Sequence, residues 1–118
     1  MENVEKDELN LLSMNVILHA GNARDYVFQA VERASDGDFT ESDKLMKQAN
    51  DEVVEAHRAQ TSTLQKEADG VEIPYSPLFG HAQDTLMTVK TEINLMKEII
   101  KIYRNLKGWQ RWINRSEE

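Results

Sequence analysis

The sequence predicts an all-α protein built as a three-helix antiparallel up-down bundle. The 118-residue chain has two prolines, Pro74 and Pro77, and because both lie in one short segment the rest of the chain is free to be helical. A second break is indicated at residues 35–38, where Ser, Asp and Gly favour a turn. Strand signals are scarce, and the three remaining segments carry apolar residues at helical spacing. A chain of this length fits a single domain, residues 1–118.

The first helix is predicted from Asp7 to Ala34. Its apolar residues recur every three or four positions, which is typical of an amphipathic helix, and small side chains dominate its middle. These residues are Leu9, Leu12, Val16, Ala20, Ala23, Val27, Ala30, Val31 and Ala34. Gly21 within this run costs about 1 kcal/mol relative to alanine. That cost indicates either the close approach of a neighbouring helix or slack that the helix tolerates.

The second helix is predicted to open at Thr40, whose hydroxyl can cap the first turn, and to continue to Gly70. Phe39 is expected to pack on that turn, and Asp43 places negative charge near the positive end of the helix. The apolar residues that carry the helical period are Leu45, Met46, Ala49, Val53, Ala56 and Leu64. This helix is polar over most of its circumference.

The third helix is predicted to follow Pro77 and to end at Gly108. Its apolar stripe consists of Leu78, Ala82, Leu86, Val89, Ile93, Met96, Ile100 and Tyr103. Four further residues, Leu95, Ile99, Ile102 and Leu106, widen that stripe. The resulting apolar surface is wider than two partner helices in a small bundle need. We therefore expect part of the third helix to face another subunit.

Residues 107–118 are predicted to form a C-terminal aromatic and basic tail. Trp109 and Trp112 lie close to Arg111 and Arg115 in this segment. The two tryptophans are expected to fold back on the bundle, and the alternative is that the tail contacts a partner through its basic and aromatic side chains.

Composition excludes several classes of function. The chain has no cysteine, so disulfides, thiolate metal sites and cysteine nucleophiles are absent. Its formal net charge is −7, which disfavours nucleic acid as a partner. The acidic N-terminus does not resemble a signal peptide, and no apolar run is long enough to span a membrane. We therefore expect a cytoplasmic protein without direct membrane insertion.

Three histidines, His19, His57 and His81, are candidates for chemistry. Their spacing does not place two imidazoles on one helical face, which argues against a zinc site within one chain. His19 and His57 are expected to be partly buried and hydrogen-bonded within helices. His57 with Gln60 one turn later is a second hypothesis, because these side chains could reach a phosphate pocket from the second helix.

His81 is predicted to lie in the first turn of the third helix, where backbone amides and the helix dipole favour an anionic group. Asp84, Thr85 and Thr88 follow on the same side of the helix, and Gln83 lies nearby as a hydrogen-bond donor. A neutral imidazole with such donors suits a phosphoryl carrier. From the residues alone, the alternative is an ordinary histidine near a helix start, with threonines bonded to their own backbone.

Asp84 raises a separate question, because a carboxylate beside an apolar stripe is costly to bury without a partner. In a three-fold oligomer three copies of Asp84 could meet on the axis, where a divalent cation such as Mg²⁺ would offset their repulsion. The alternative is a solvated carboxylate near a helix N-terminus.

The segment Gly80-His81-Ala82-Gln83-Asp84-Thr85-Leu86-Met87-Thr88 resembles the signature of the lactose/cellobiose/chitobiose enzyme IIA family of the sugar phosphotransferase system. Three other segments, residues 21–24, 37–39 and 55–61, match the same family in the same order. Two positions depart from the family pattern: Gly80 stands where an aliphatic residue is expected, and Thr85 stands where histidine is common.

The resemblance implies a homotrimer of three-helix subunits, a nine-helix bundle, with phosphorylation on His81. It also implies that Asp84 from each chain binds a shared metal ion. The phosphoryl group would arrive from the phosphocarrier HPr and leave to a cysteine of the cognate enzyme IIB, in the uptake of a β-linked disaccharide such as cellobiose, lactose, chitobiose or lichenan fragments.

Two other classes of function remain as alternatives. The first is a helical-bundle adaptor or scaffold that binds partners through its apolar stripe. The second is a metal-storing or metal-dependent enzyme, which is disfavoured because no second carboxylate–histidine pair typical of a di-metal site occurs in the sequence.

Overall fold

A computed structural model describes residues 4–117, and these residues form the predicted three-helix bundle. The helices are α1 (Lys6–Ser35), α2 (Phe39–Ala68) and α3 (Pro77–Ser116). They run up, down and up in an elongated molecule of 76 × 20 × 19 Å. Within residues 4–117 no strand is formed, so the prediction of an all-α, antiparallel bundle is confirmed.

Helix α1 is the central packing element, because it lies along both α2 and α3 whereas those two helices contact each other little. Its buried side carries the predicted small residues. Ala20, Ala23 and Ala30 of α1 and Ala49 of α2 are completely buried in the main core cluster. Side chains this small allow helix axes to approach closely, so the core is thin and depends on backbone proximity.

Most residues of the three predicted apolar patterns lie in the core or pack against it, whereas Leu64 of α2 is exposed. Val16 of α1, Ala56 of α2, and Ala82 and Leu86 of α3 form a second buried cluster nearer the start of α1. Gly21 is not a site of close approach within the protomer, since a Cβ atom built there would meet nothing within 4 Å. The alanines of α1, not its glycine, make the close contacts between helices.

The cap of α2 differs from the prediction. The helix begins at Phe39, one residue before Thr40, and a side-chain oxygen of Asp38 accepts a hydrogen bond from the Glu41 amide at 3.1 Å. A carboxylate is a stronger acceptor than a hydroxyl and carries the charge that the positive end of the helix favours. Phe39 packs against the main core, and the Arg104 guanidinium lies 4.8 Å from the centre of its ring.

The connection between α2 and α3 closes one end of the bundle. The Val4 amide donates to the Glu72 carbonyl at 3.0 Å, and Val71 and Ile73 pack on the cluster formed by Val4, Leu9 and Phe79. Ser76 then caps α3, because its hydroxyl oxygen accepts from the Phe79 amide at 3.1 Å. Pro77 at the first helical position has no amide hydrogen to leave unpaired.

Helix α3 does not end at Gly108 but continues to Ser116. The two tryptophans therefore lie on the helix, where they are 58% and 59% exposed and stack on each other with ring centres 5.0 Å apart. The prediction that they fold back on the bundle is wrong. Gly108 lacks the positive φ angle that makes a glycine end a helix, whereas Gly37 and Gly70, which follow α1 and α2, have it.

Two polar pairs tie α1 to its neighbours. Arg24 of α1 donates two hydrogen bonds of 2.9 Å to Glu92 of α3, and this bond raises the pKa of Arg24 above its usual value. His19 of α1 is bonded through Nδ1 to Glu52 of α2 and is partly buried. The expectation of a partly buried, hydrogen-bonded histidine is confirmed for His19.

We expect opposite effects from alanine at two glycines. Gly37→Ala should lower the free energy of unfolding by about 1–2 kcal/mol, because its φ of +87° disfavours any side chain. Gly108→Ala should raise it by up to about 1 kcal/mol, because alanine is the better helix former and a Cβ atom there meets no neighbour. Urea unfolding of both variants measures this contrast. Destabilisation by Gly108→Ala would show that α3 ends there.

Candidate functional site

His81 is exposed and is the fifth residue of α3, one position beyond the first turn. The nearby backbone donors are mostly occupied or missing. Pro77 has no amide hydrogen, and the Phe79 and Gly80 amides both donate to Ser76. The expectation that backbone amides at the helix start would hold a phosphate therefore has little support within the protomer. The dipole of a 40-residue helix still favours negative charge near its start.

The polar residues on the same side as His81 bond to their own helix. Thr85 donates to the His81 carbonyl at 2.8 Å, and Thr88 donates to the Asp84 carbonyl at 2.8 Å. These hydrogen bonds to the carbonyl four residues earlier are the ones expected if the threonines bond to their own helix backbone. Their hydroxyl hydrogens are committed, so neither threonine is a free donor for a phosphoryl oxygen.

The Arg24–Glu92 pair locates His81 relative to the bundle. Glu92 follows His81 by eleven residues, about three helical turns, so both side chains leave α3 on the same side. Because Glu92 bonds to α1, His81 faces the edge between α3 and α1. Sequence reasoning did not find this pair, since its members are 68 residues apart and only an opposite-charge pattern could have indicated it.

Gln83 does not lie beside His81 in the protomer. Both residues are in α3, and side chains two positions apart on a helix point to nearly opposite sides. Gln83 is half-buried, whereas His81 is exposed. Sequence proximity is therefore misleading here, because the helix separates the two side chains by about 200°.

His57 and Gln60 are also separated from His81. His57 is exposed, contrary to expectation, and lines a groove of about 640 Å³ formed by one face of α2 together with Lys90 of α3. Lys90 follows His81 by nine residues, two and a half turns, and so lies on the opposite side of α3. Gln60 is 7% exposed, and its Oε1 atom has no hydrogen-bond partner among residues 4–117. A single protomer does not assemble these residues into one pocket.

Asp84 is exposed and supplies one carboxylate to the surface of α3. Within the described part of the protomer, no group of three or more His, Cys, Asp or Glu side chains is placed to hold a metal ion. A single exposed carboxylate is a poor ligand set for a divalent cation, which prefers six or more oxygen atoms. One protomer alone does not fit a metal site, and Asp84 could bind a cation only together with ligands from elsewhere.

None of the helices that the structure describes is long and apolar enough to cross a membrane.

The fold and the site together define a class of protein: a small helical bundle whose third helix presents an exposed imidazole a turn after its start. An exposed neutral imidazole can accept and release a phosphoryl group without a metal at the reacting nitrogen. Residues 11–104 match the family described as PTS system, Lactose/Cellobiose specific IIA subunit. The chain belongs to this family and is thus a component of the phosphotransferase system.

Relatives and solved structures agree with that assignment. The lactose-specific EIIA component of Staphylococcus aureus (strain N315) is 41% identical over 101 residues, covering 86% of this chain and 98% of the relative. The crystal structure of the cellobiose-specific enzyme IIA from Bacillus anthracis matches with a TM-score of 0.81 at 35% identity, covering 89% of this chain and 94% of that one. The IIA(Chitobiose)–HPr complex of the N,N'-diacetylchitobiose branch of the Escherichia coli phosphotransferase system matches with a TM-score of 0.75 at 31% identity, covering 88% and 99%.

We expect chemical modification to distinguish the histidines. His81 should react with diethyl pyrocarbonate faster than His19, because His81 is exposed whereas His19 is about three-quarters covered and bonded through Nδ1. Peptide mass spectrometry over a time course measures the two rates in one sample. A slower reaction at His81 than at His19 would contradict an accessible imidazole at this site.

Proposed function

We propose that this protein carries a phosphoryl group on His81, accepting it from phosphorylated HPr and passing it to a cysteine of the cognate enzyme IIB. The observation that carries the proposal is the exposure of His81 within the segment that resembles the family signature. The solved complex of a IIA(Chitobiose) protein with HPr supports HPr as the donor. The similarity to lactose- and cellobiose-specific proteins supports uptake of a β-linked disaccharide of the lactose, cellobiose, chitobiose or lichenan class.

The transfer needs an uncharged ring nitrogen, for which we propose Nε2 of His81, and an in-line approach to the phosphorus atom. The new bond from this nitrogen to phosphorus forms as the bond to the HPr histidine nitrogen breaks. The second transfer reverses the roles, because the bond to His81 breaks as a cysteine sulfur of enzyme IIB takes the phosphoryl group. An exposed imidazole suits both steps, since two different partner proteins must reach the same nitrogen in turn.

We propose that the protein functions as a homotrimer, a nine-helix bundle. Two features support this. Large apolar side chains stay exposed on α1 and α3, including Leu11 and Leu18 on α1 and Leu95 and Ile102 on α3. The residues expected around the phosphate also do not meet within one protomer. Gln83 and His57 can support a phosphate on His81 only if neighbouring subunits bring those surfaces together. Gln60, the other proposed support, would also have to turn out of the core.

Asp84 is the proposed ligand for a divalent cation such as Mg²⁺, with three copies sharing the ion on the trimer axis. Asp84 is exposed on the side of α3 that carries Ile102, which lies 18 residues or about five helical turns further on. The cation would neutralise three carboxylates that otherwise repel one another. The residues of this chain would hold the ion at the interface, where it would support the trimer and not accept the phosphoryl group.

Replacing His81 should abolish phosphorylation. His81→Ala is expected to stay folded and trimeric, because the side chain is exposed, and to accept no phosphoryl group from phosphorylated HPr. His19→Ala is the matched control, since it also removes a histidine but should retain transfer. Intact-mass spectrometry at neutral pH measures the acid-labile phosphate. Phosphate delivery to enzyme IIB by His81→Ala would exclude the proposed site and favour an adaptor role.

Replacing Asp84 by leucine should make the trimer independent of metal. The substitution removes three like charges from an apolar axis, so Asp84→Leu is expected to remain trimeric in EDTA at concentrations where the parent protein begins to dissociate. Sedimentation velocity with and without Mg²⁺ measures this difference. A parent protein and a variant that respond identically to EDTA would argue against a shared cation at Asp84.

A further inference from the structure

The charges of the chain are divided unevenly along the sequence. Residues 1–98 hold nine Lys and Arg against nineteen Asp and Glu, whereas residues 99–118 hold five Lys and Arg against two Glu. An acidic bundle is thus followed by a basic segment, although the formal net charge of the whole chain is −7. This difference in sign suits the last turns of α3 to an anionic partner that the bundle itself would repel.

The five cations of the basic segment share one side of α3, the cationic side. Successive members are three or four positions apart, so all five fall within about a third of the helix circumference. They are Lys101, Arg104, Lys107, Arg111 and Arg115. Glu117 follows Arg115 by two positions and points to nearly the opposite side, so it does not neutralise the cationic side.

The cations nearest the bundle are paired, and the two farthest from it are not. Lys101 donates to Glu98 at 2.9 Å, and Arg104 donates to Asp43 at 2.9 Å. Among residues 4–117, neither Arg111 nor Arg115 has a carboxylate within 4.0 Å. These two guanidinium groups are therefore available to an anion from outside the chain.

Arg115 lies well past the turn that joins α1 to α2. Phe79 of α3 packs with Leu9 of α1, and Lys107 of α3 lies against Gly37 in that turn, so Lys107 is level with the end of α1. Arg115 is eight residues further, about 12 Å along the helix. That distance exceeds the Debye length of about 8 Å at physiological ionic strength. Repulsion between the carboxylates of the bundle and an anionic surface is thus screened at this end.

An exposed indole borders the cationic side. Trp112 lies one turn before Arg115 and is 59% exposed. Its ring stacks on Trp109, with ring centres 5.0 Å apart, so the two indoles form one broad aromatic surface. Indole rings beside Lys and Arg are typical of helices that contact the headgroup region of a bilayer, where the ring is buried and its N–H finds polar partners.

We propose that residues 107–115 dock peripherally on a lipid surface rich in anionic headgroups. In this contact the cationic side faces the phosphate groups, and Trp112 enters the headgroup layer beside them. A lipid surface is favoured over a protein partner, because the unpaired cations and the indole lie on one projecting helix. Mobile headgroups can gather around such a convex shape, whereas a protein that binds a helix offers it a matching groove.

This docking surface is separate from the candidate phosphorylation site. Arg111 follows His81 by 30 residues, about 45 Å along α3, so a protein docked at its basic end keeps the imidazole accessible. The cationic side also differs from the apolar side of α3 that carries Ile102 and Leu106. The inference therefore goes beyond the carrier role and depends neither on that role nor on the trimer.

Vesicle binding by the full chain tests the proposal. The protein should co-sediment with vesicles of equimolar phosphatidylglycerol and phosphatidylcholine at about 0.1 M NaCl, and its tryptophan emission should shift to shorter wavelength. It should not co-sediment with vesicles of phosphatidylcholine alone. Raising NaCl to about 0.5 M should release it, because salt screens the attraction between the cations and the headgroups.

The matched comparison removes two positive charges from different helices. Arg111→Gln combined with Arg115→Gln should weaken binding to the anionic vesicles by about tenfold or more, since each cation near such a surface contributes about fivefold. Lys47→Gln combined with Lys66→Gln removes the same charge from α2 and should leave binding within about twofold of the parent. Circular dichroism checks that both double variants are folded.

Several outcomes would overturn the proposal. These are equal binding to both kinds of vesicle, no binding to anionic vesicles, and equal binding by the parent and the arginine double variant. Binding to soluble poly-L-glutamate without binding to vesicles would overturn it in favour of an acidic protein segment. Phosphorylation of His81 by phosphorylated HPr tests the carrier role separately, and the arginine double variant should match the parent in that assay. Normal phosphorylation without vesicle binding would remove this inference alone.

Discussion

The packing of α3 on α1 covers one side of α3 and leaves another apolar side in water, and the rest of the molecule depends on this division. Leu86 and Val89 are completely buried against the bundle, whereas Leu95 and Ile102 are more than half exposed. The apolar surface of a helix is stabilised when it is buried against other apolar surface. The three helices of one chain do not bury all of the apolar surface of α3. The proposed trimer would bury the part that one bundle leaves in water.

The same geometry explains why the candidate site is incomplete in one protomer. Residues that are close in sequence on α3 point in different directions, so Gln83 is turned away from His81. His57 lies on a groove across the opposite side of α3, and Gln60 is in the core. Helices of one bundle cannot turn to bring these groups together without losing their buried alanine contacts. In the proposed carrier role, donors for a phosphate on His81 would come from another subunit of the proposed trimer or from the partner protein itself.

The bundle and the last turns of α3, residues 108–116, differ in how they are packed. The bundle depends on small side chains in close contact and on cross-helix pairs such as Arg24–Glu92, which is partly exposed and so contributes modestly. In residues 108–116, Trp109 and Trp112 are more than half exposed, and a Cβ atom at Gly108 would meet nothing within 4 Å. The family match covers the bundle up to residue 104 and does not include residues 108–116. If His81 is the phosphoryl carrier as proposed, the opposite end of α3 can vary without changing that imidazole.

The sequence by itself determined the three helices, their order and the segment around His81, because helical periodicity, proline placement and a short motif are all local features. Only the tertiary structure decided which side of each helix is covered. It showed that His57 is exposed while Gln60 is buried, and that α3 continues through Gly108. The physical reason is that burial depends on how helices pack together, and the packed residues are dozens of positions apart in the sequence. A local pattern gives the spacing of side chains along a helix but does not identify the neighbour that each side contacts.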